Sequence, residues 1–214
     1  AGIQFAVHAI GTRANEWILD EFDAIEAEHG ERDRRPRVEH AQHLTPRDMK
    51  RFSANGVIAS MQPTSIYDDA AWAYKRVDDS VLAGTYIFRS LLNDGATLTF
   101  GSDWTVTTLD PLMGIYTAVT RRSRDGKNPA GWYPDEKISV EDALRCYTIN
   151  SAYAGFQEDK LGTLETGKLA DFVVLSKDLL VINTDDILNT KVVRTVVNGK
   201  DVYIQSYGKD RIWY

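Results

Sequence analysis

Four short β-type runs, GIQFAVHA (2–9), PRVEHAQ (36–42), NGVIASMQP (55–63) and ATLTFGSD (96–103), are each followed by a stretch of helical periodicity. This alternation constrains the fold more than any other feature of the chain. Strands separated by helical crossovers pair in parallel, and the helices cover the sheet that they cross. After the first run, Trp17, Ile18, Phe22 and Ile25 recur at helical spacing and Gly30 supplies a stop. After the second, Thr45 suits an N-cap, Pro46 the first helical position and Gly56 the position past the end. DSVLAGTYIFRSLLNDG (79–95) and LDPLMGIYTAVTRRSRDG (109–126) read as the next two helices. The pattern is half of an eight-fold βα repeat.

A polar loop, DGKNPAGWYPDEK (125–137), leads into a further helix, SVEDALRCYTINSAYAGF (139–156), with Ser139 and Asp142 suited to its N-terminus. From Leu161 the pattern changes to short strands, with turns at Gly162 and Gly167 and a hairpin signal at Asn198-Gly199. The chain is therefore expected to divide into an α/β part, residues 1–158, and a small β module, residues 159–214.

Composition narrows the partners. Lys and Arg number 25 against 31 Asp and Glu, a formal charge of −6, so a small-molecule partner is expected rather than nucleic acid or an anionic membrane. Cys146 is the sole cysteine, which leaves no internal disulfide and no Cys-rich zinc module; it reads as a small buried hydrophobe. No run approaches the roughly 18 apolar residues of a membrane span, and AGIQFAVHAIG lacks the basic start of a signal peptide, so a cytoplasmic location is expected. The same residues lack an initiator Met and read as the inside of a buried strand, as if the chain began within a larger fold.

His8, His40 and Asp103 each fall at the C-terminal end of a different strand. In parallel α/β barrels that end of the sheet is where active sites assemble. Two imidazoles and a carboxylate converging there suit Zn²⁺ or another divalent metal.

The words VHAIG (7–11), VEHAQ (38–42), SMQP (60–63) and FGSDWTV (100–106), in that order, resemble the amidohydrolase superfamily, and within it the YtcJ-like branch of amidohydrolase family 3. The resemblance continues through DPLMGIYTAVTRRSRDG, NPAGWYPDEKISVEDALRCYTINSAYA and LGTLETGKLADFVVLSKDL, so it covers nearly the whole chain. It implies an α/β fold, the C-terminal half (strands 5–8) of a (β/α)8 TIM barrel, followed by part of a small β-sandwich. It implies that His8, His40 and Asp103 are the metal ligands of strands 5, 6 and 8, with zinc the expected divalent metal. Asp103 would also be catalytic, taking a proton from water activated by the metal and returning it to the leaving nitrogen of a C–N bond. Deamination is the alternative on the same scaffold. Thr12 stands where the family pattern usually has an aspartate. The family's paired strand-1 histidines and its strand-4 ligand would precede Ala1.

Glu39 should point away from the face of His40 and form an ion pair with a helix. His43 is expected on the substrate side or in solvent rather than as a further ligand, and His29 at a helix end on the surface. Gln62 is a candidate pocket-lining residue, equally suited to a loop hydrogen bond. Trp104 is a candidate apolar wall for substrate, equally suited to packing. Ser102 lacks the surroundings of a nucleophile. A reading of another class is a non-catalytic half-barrel, missing its N-terminal ligands, whose two sheet edges close against a second copy as a homodimer.

Overall fold

A computed structural model of the chain describes residues 3–205 and 211–212. Strand β1 (Ala6–Ala9) leads through helix α1 (Thr12–His29) to β2 (Arg37–His40), and α2 (Pro46–Ala54) leads to β3 (Ile58–Met61). Three short helices follow, α3 (Ser65–Asp69), α4 (Asp79–Leu82) and α5 (Phe88–Asn93), before β4 (Leu98–Phe100) and α6 (Pro111–Thr120). The four strands form one parallel sheet in the order β1-β2-β3-β4, which is the arrangement that the alternation predicts.

Register shows how this sheet is used. Val7 pairs with Val38, Val38 with Ala59 and Ala59 with Leu98. This row belongs to the core, with Val38, Ala59 and Leu98 fully buried. The adjacent row, His8, Glu39, Ser60 and Thr99, points to the other face because side chains alternate along a strand. His8 in that row is exposed, and β1 and β4 are the sheet's edges.

The helix ends match their sequence signals. Thr45 accepts a hydrogen bond from the Asp48 amide at 3.2 Å, Pro46 opens α2, and Gly30 and Gly56 take φ of 74° and 61° after α1 and α2. Two expected helices are broken. The stretch 79–95 divides at Gly84, where a Cβ would lie 2.0 Å from the Leu44 carbonyl oxygen, a contact only glycine permits. Thr85 there bridges His43, so the backbone is spent on the sheet end rather than on a helix. The second break separates α7 (Val140–Tyr147) from α8 (Ile149–Ala154) at Thr148, whose φ and ψ of −121° and −94° are not helical.

Helix α7 begins with a full capping box, in which the Ser139 hydroxyl accepts from the Asp142 amide at 3.0 Å and the Asp142 carboxylate accepts from the Ser139 amide. Ser139→Ala is expected to lower unfolding free energy by about 1 kcal/mol in urea titrations, and an unchanged midpoint would remove the cap from the account. The end of α8 meets the segments that enter β1 and β2. Gln4 donates to the Ala154 carbonyl at 2.8 Å, and Arg35, stacked on the rings of Tyr153 and Phe156, pairs with Glu158 at 2.7 Å.

The tail forms an antiparallel sheet, β5 (Phe172–Leu175), β6 (Val192–Val197), β7 (Lys200–Ile204) and β8 (Arg211–Ile212), in sequential order. Asn198 and Gly199 join β6 to β7 with φ of 49° and 73°, the positive pair that a tight hairpin requires. This is one sheet among the described residues. Leu179 and Ile187, between β5 and β6, are buried in the same core as the parallel sheet, and a 3₁₀ segment, Thr184–Asn189, packs on α6. No helix among the described residues is long and apolar enough to cross a membrane.

Candidate active site

His40 is the last residue of β2 and pairs with Ala9, so pleat alternation assigns it to the face opposite His8. Its backbone departs from the pleat, with φ of 78°, followed by Ala41 at 44°. The side chain leaves the alternation, and its ring lies edge-on to His8 with centroids 4.5 Å apart. Asp103 is delivered from β4 through Gly101 and Ser102 and also sits in the left-handed region, at φ 53°. Such positions cost roughly 1 kcal/mol or more and concentrate where function over-determines the backbone; His and Asp tolerate them better than most residues.

Gln62 selects the tautomer of His40. Its Nε2 donates to the Ser60 carbonyl at 3.2 Å, which turns Oε1 toward His40 Nδ1 at 2.8 Å. A carbonyl oxygen only accepts, so Nδ1 carries the proton and Nε2 of the neutral ring keeps its lone pair. That is the tautomer a metal-ligating histidine needs, held by the kind of partner such ligands use. Gln62 is buried and is not among the residues lining the cleft described below.

A cleft of about 320 Å³ opens at the C-terminal ends of the strands and is lined by His40 and Asp103 together with Gln42, His43, Asp69 and Tyr86. The structure thus brings His8 to His40, and His40 and Asp103 to one cleft. It does not draw the three into one tight group: among the described residues no three His, Cys, Asp or Glu side chains are close enough together to hold a metal ion. The two imidazoles fit a divalent metal by donor chemistry, and the carboxylate stands at the same opening. Trp104 is 63% exposed and does not line the cleft. A larger cavity, about 530 Å³, lies by Arg35 and Pro36 ahead of β2, at the strand ends away from these residues.

Several residues of the cleft carry no sequence motif. The Thr85 hydroxyl donates to the Val81 carbonyl at 2.8 Å, so toward His43 Nδ1, 2.7 Å away, it accepts. His43 Nε2 is then the acceptor facing the Gln42 amide nitrogen at 3.4 Å, and that same nitrogen donates to Asp69 Oδ2 at 3.0 Å. Tyr86 donates to the same oxygen at 2.7 Å. Burial lowers the pKa of His43, so it is neutral, and burial raises the Tyr86 phenol well above its ordinary value. Burial also raises Asp69, against the Tyr86 and Gln42 hydrogen bonds that lower it.

Two further side chains hold this wall. Asn15 donates to the carbonyls of Ile10, Gly11 and His43, tying the exit of β1 to that of β2. Arg121, fully buried, donates to the carbonyls of Trp132 at 2.6 Å, Tyr86 at 2.7 Å and Thr85 at 3.4 Å. Burial pulls its guanidinium down to about 10, and it remains charged at neutral pH. Elsewhere, Glu39 pairs with Arg37 of its own strand at 3.1 Å rather than with a helix, because residues two apart share a face. His29 is exposed at the end of α1. Cys146 is buried and its thiol is pushed up to about 12 by that burial, as suits a small core residue.

Residues 1–203 match the profile of the amidohydrolase family. The chain belongs to the amidohydrolase family. Protein LONG AFTER FAR-RED 3 of Arabidopsis thaliana is 44% identical over 204 residues, 95% of this chain and 34% of that protein. The putative amidohydrolase YtcJ of Bacillus subtilis is 32% identical over 205 residues, 96% of this chain and 38% of that protein. Among solved structures, an uncharacterized metal-dependent hydrolase from Pyrococcus furiosus superposes with a TM-score of 0.71 at 32% identity, over 84% of this chain and 34% of that one. This amidohydrolase-family chain spans about a third of the length of the relatives it matches.

Proposed function

We propose that the protein carrying this chain is a metal-dependent hydrolase of a C–N bond, an amide or N-acyl group, in a small-molecule substrate. In this reading β1–β4 are strands 5–8 of an eight-stranded barrel whose other strands pair with the edges β1 and β4, and the tail sheet is part of a β-sandwich. The observation that carries it is the pair of imidazoles at the strand ends, one of them held by Gln62 in the tautomer that presents Nε2. Membership of the amidohydrolase family supports the bond type, and the metal-dependent hydrolase from P. furiosus supports the metal.

His8 and His40 would hold the metal, with Asp103 at the opening of the cleft that His40 lines. A divalent cation, zinc being the expected one, supplies when bound a Lewis acid that lowers the pKa of the attacking water and polarises the scissile carbonyl. Asp103, at the cleft, would accept the water's proton on its carboxylate and return it to the leaving nitrogen. Gln62 holds His40 in the tautomer that presents Nε2. Wild-type protein is expected to retain stoichiometric divalent metal in elemental analysis and to lose it in His8→Ala and His40→Ala. Gln62→Ala should weaken metal affinity roughly 10- to 100-fold. Metal content unaffected by both histidine substitutions would overturn the assignment.

A further inference from the structure

Asp69 receives two hydrogen bonds on one oxygen. Tyr86 and Gln42 both donate to Oδ2, while Oδ1 makes no hydrogen bond among the described residues. The surrounding donors are already spent. The Tyr86 proton goes to Asp69, the Ser65 hydroxyl, which also lines the cleft, donates to the Tyr86 oxygen, and the Gln42 amide protons go to Asp69 and His43. The Nδ1 proton of His43 goes to Thr85. Burial keeps His43 neutral, so it brings no positive charge to the wall. The one guanidinium lining the cleft, on Arg76, is exposed and therefore solvated. Beside this acceptor the cleft is apolar, with Trp72, Ala73, Val77 and Ile10 along it.

A wall whose donors are consumed and whose remaining valence is a carboxylate oxygen recognises a donor and disfavours an anion. We infer that the cleft takes a substrate with an apolar body and a hydrogen-bond-donating nitrogen, an ammonium or an N–H, which Asp69 Oδ1 accepts. This rests on the reading of the cleft as the substrate site. Asp69 is a specificity-determining residue, and Tyr86 and Gln42 are positioning residues that aim its free oxygen. Trp72, 42% exposed, supplies apolar contact without choosing between charges.

The test uses three probes of one shape: benzylamine, benzyl alcohol and benzoate, titrated by ligand-observed NMR into the purified protein after chelation of metal. Benzylamine should bind at least about tenfold more tightly than benzoate, with benzyl alcohol between them. Asp69→Asn, which keeps shape and removes charge, should abolish that preference, with unchanged far-UV circular dichroism. Trp72→Ala should weaken all three probes and leave their order intact. Equal binding of the amine and the anion, a preference that survives Asp69→Asn, or no saturable binding of any probe would overturn the inference. Metal content, measured in parallel on untreated protein, reports on the proposed hydrolase site alone. Normal metal with no probe preference defeats only the Asp69 assignment, and the probe preference without metal defeats only the hydrolase reading.

Discussion

Asp103→Asn is expected to lower kcat/KM for the proposed amide hydrolysis by roughly 100- to 10,000-fold, the usual contribution of a positioned general acid–base. The amide has the size of the carboxylate but no basic oxygen, so in the proposed mechanism the proton of the attacking water would lose its acceptor and the leaving nitrogen its donor. Asp103 is exposed at the cleft mouth, and its replacement removes no core packing. Thermal stability of the variant should therefore match wild type while turnover collapses. Steady-state kinetics on N-acyl amine substrates checks this, and a loss smaller than about fivefold would leave Asp103 without a role in proton transfer.

The largest effect on stability is expected at Arg121. Arg121→Met removes three donors, leaving the carbonyls of Trp132 and Thr85 buried without partners and that of Tyr86 with the Phe88 amide alone. A buried polar group stripped of its partner costs about 1–3 kcal/mol. The methionine regains some apolar packing against Phe88 and Trp132, whose rings lie 5.6 and 5.9 Å from the guanidinium carbon. A net loss of about 3–5 kcal/mol follows, at the upper end of what single substitutions do. Arg121→Lys should recover only part of it, because one ammonium cannot reach three carbonyls set in a fork. Urea titration measures both, and a loss below about 1 kcal/mol for the methionine variant would show that water or relaxation satisfies those carbonyls. Loosening the Thr85–Tyr86 backbone should also weaken binding in the cleft, since the aim of Asp69 depends on Tyr86.

Much of the scaffold was legible because its signals are local. The four strands, the caps at Thr45 and Ser139 and the hairpin at Asn198-Gly199 each depend on neighbours within a few residues. The breaks at Gly84 and Thr148 were not legible. Gly84 yields to a carbonyl forty residues away, a contact invisible in an apolar helical pattern.

The site divides along the same line. Residue type and position at strand ends singled out His8, His40 and Asp103, because a parallel sheet sends all its C-terminal ends to one side. The cleft wall left weaker traces. HAQHL (40–44) keeps polar residues where an apolar strand should already have turned, and Asp69 is one of two adjacent acids with no motif around it. Arg121 stands in an arginine-rich run, RRSR (121–124), with no local signal of burial, yet it is fully buried at the end of α6.

The sequence by itself determined the βα order, the parallel pairing that follows from it, the helix ends and the family. Only the tertiary structure decided that His40 leaves its strand face to meet His8, that Gln62 selects its tautomer, and that Asp69 is left with one free oxygen. The physical reason is that periodicity and capping are written in short-range sterics and hydrogen bonds. A side chain's proton, charge and aim are set instead by partners from distant segments: Ser60 and Gln62 for His40, Thr85 for His43, and Tyr86 for Asp69.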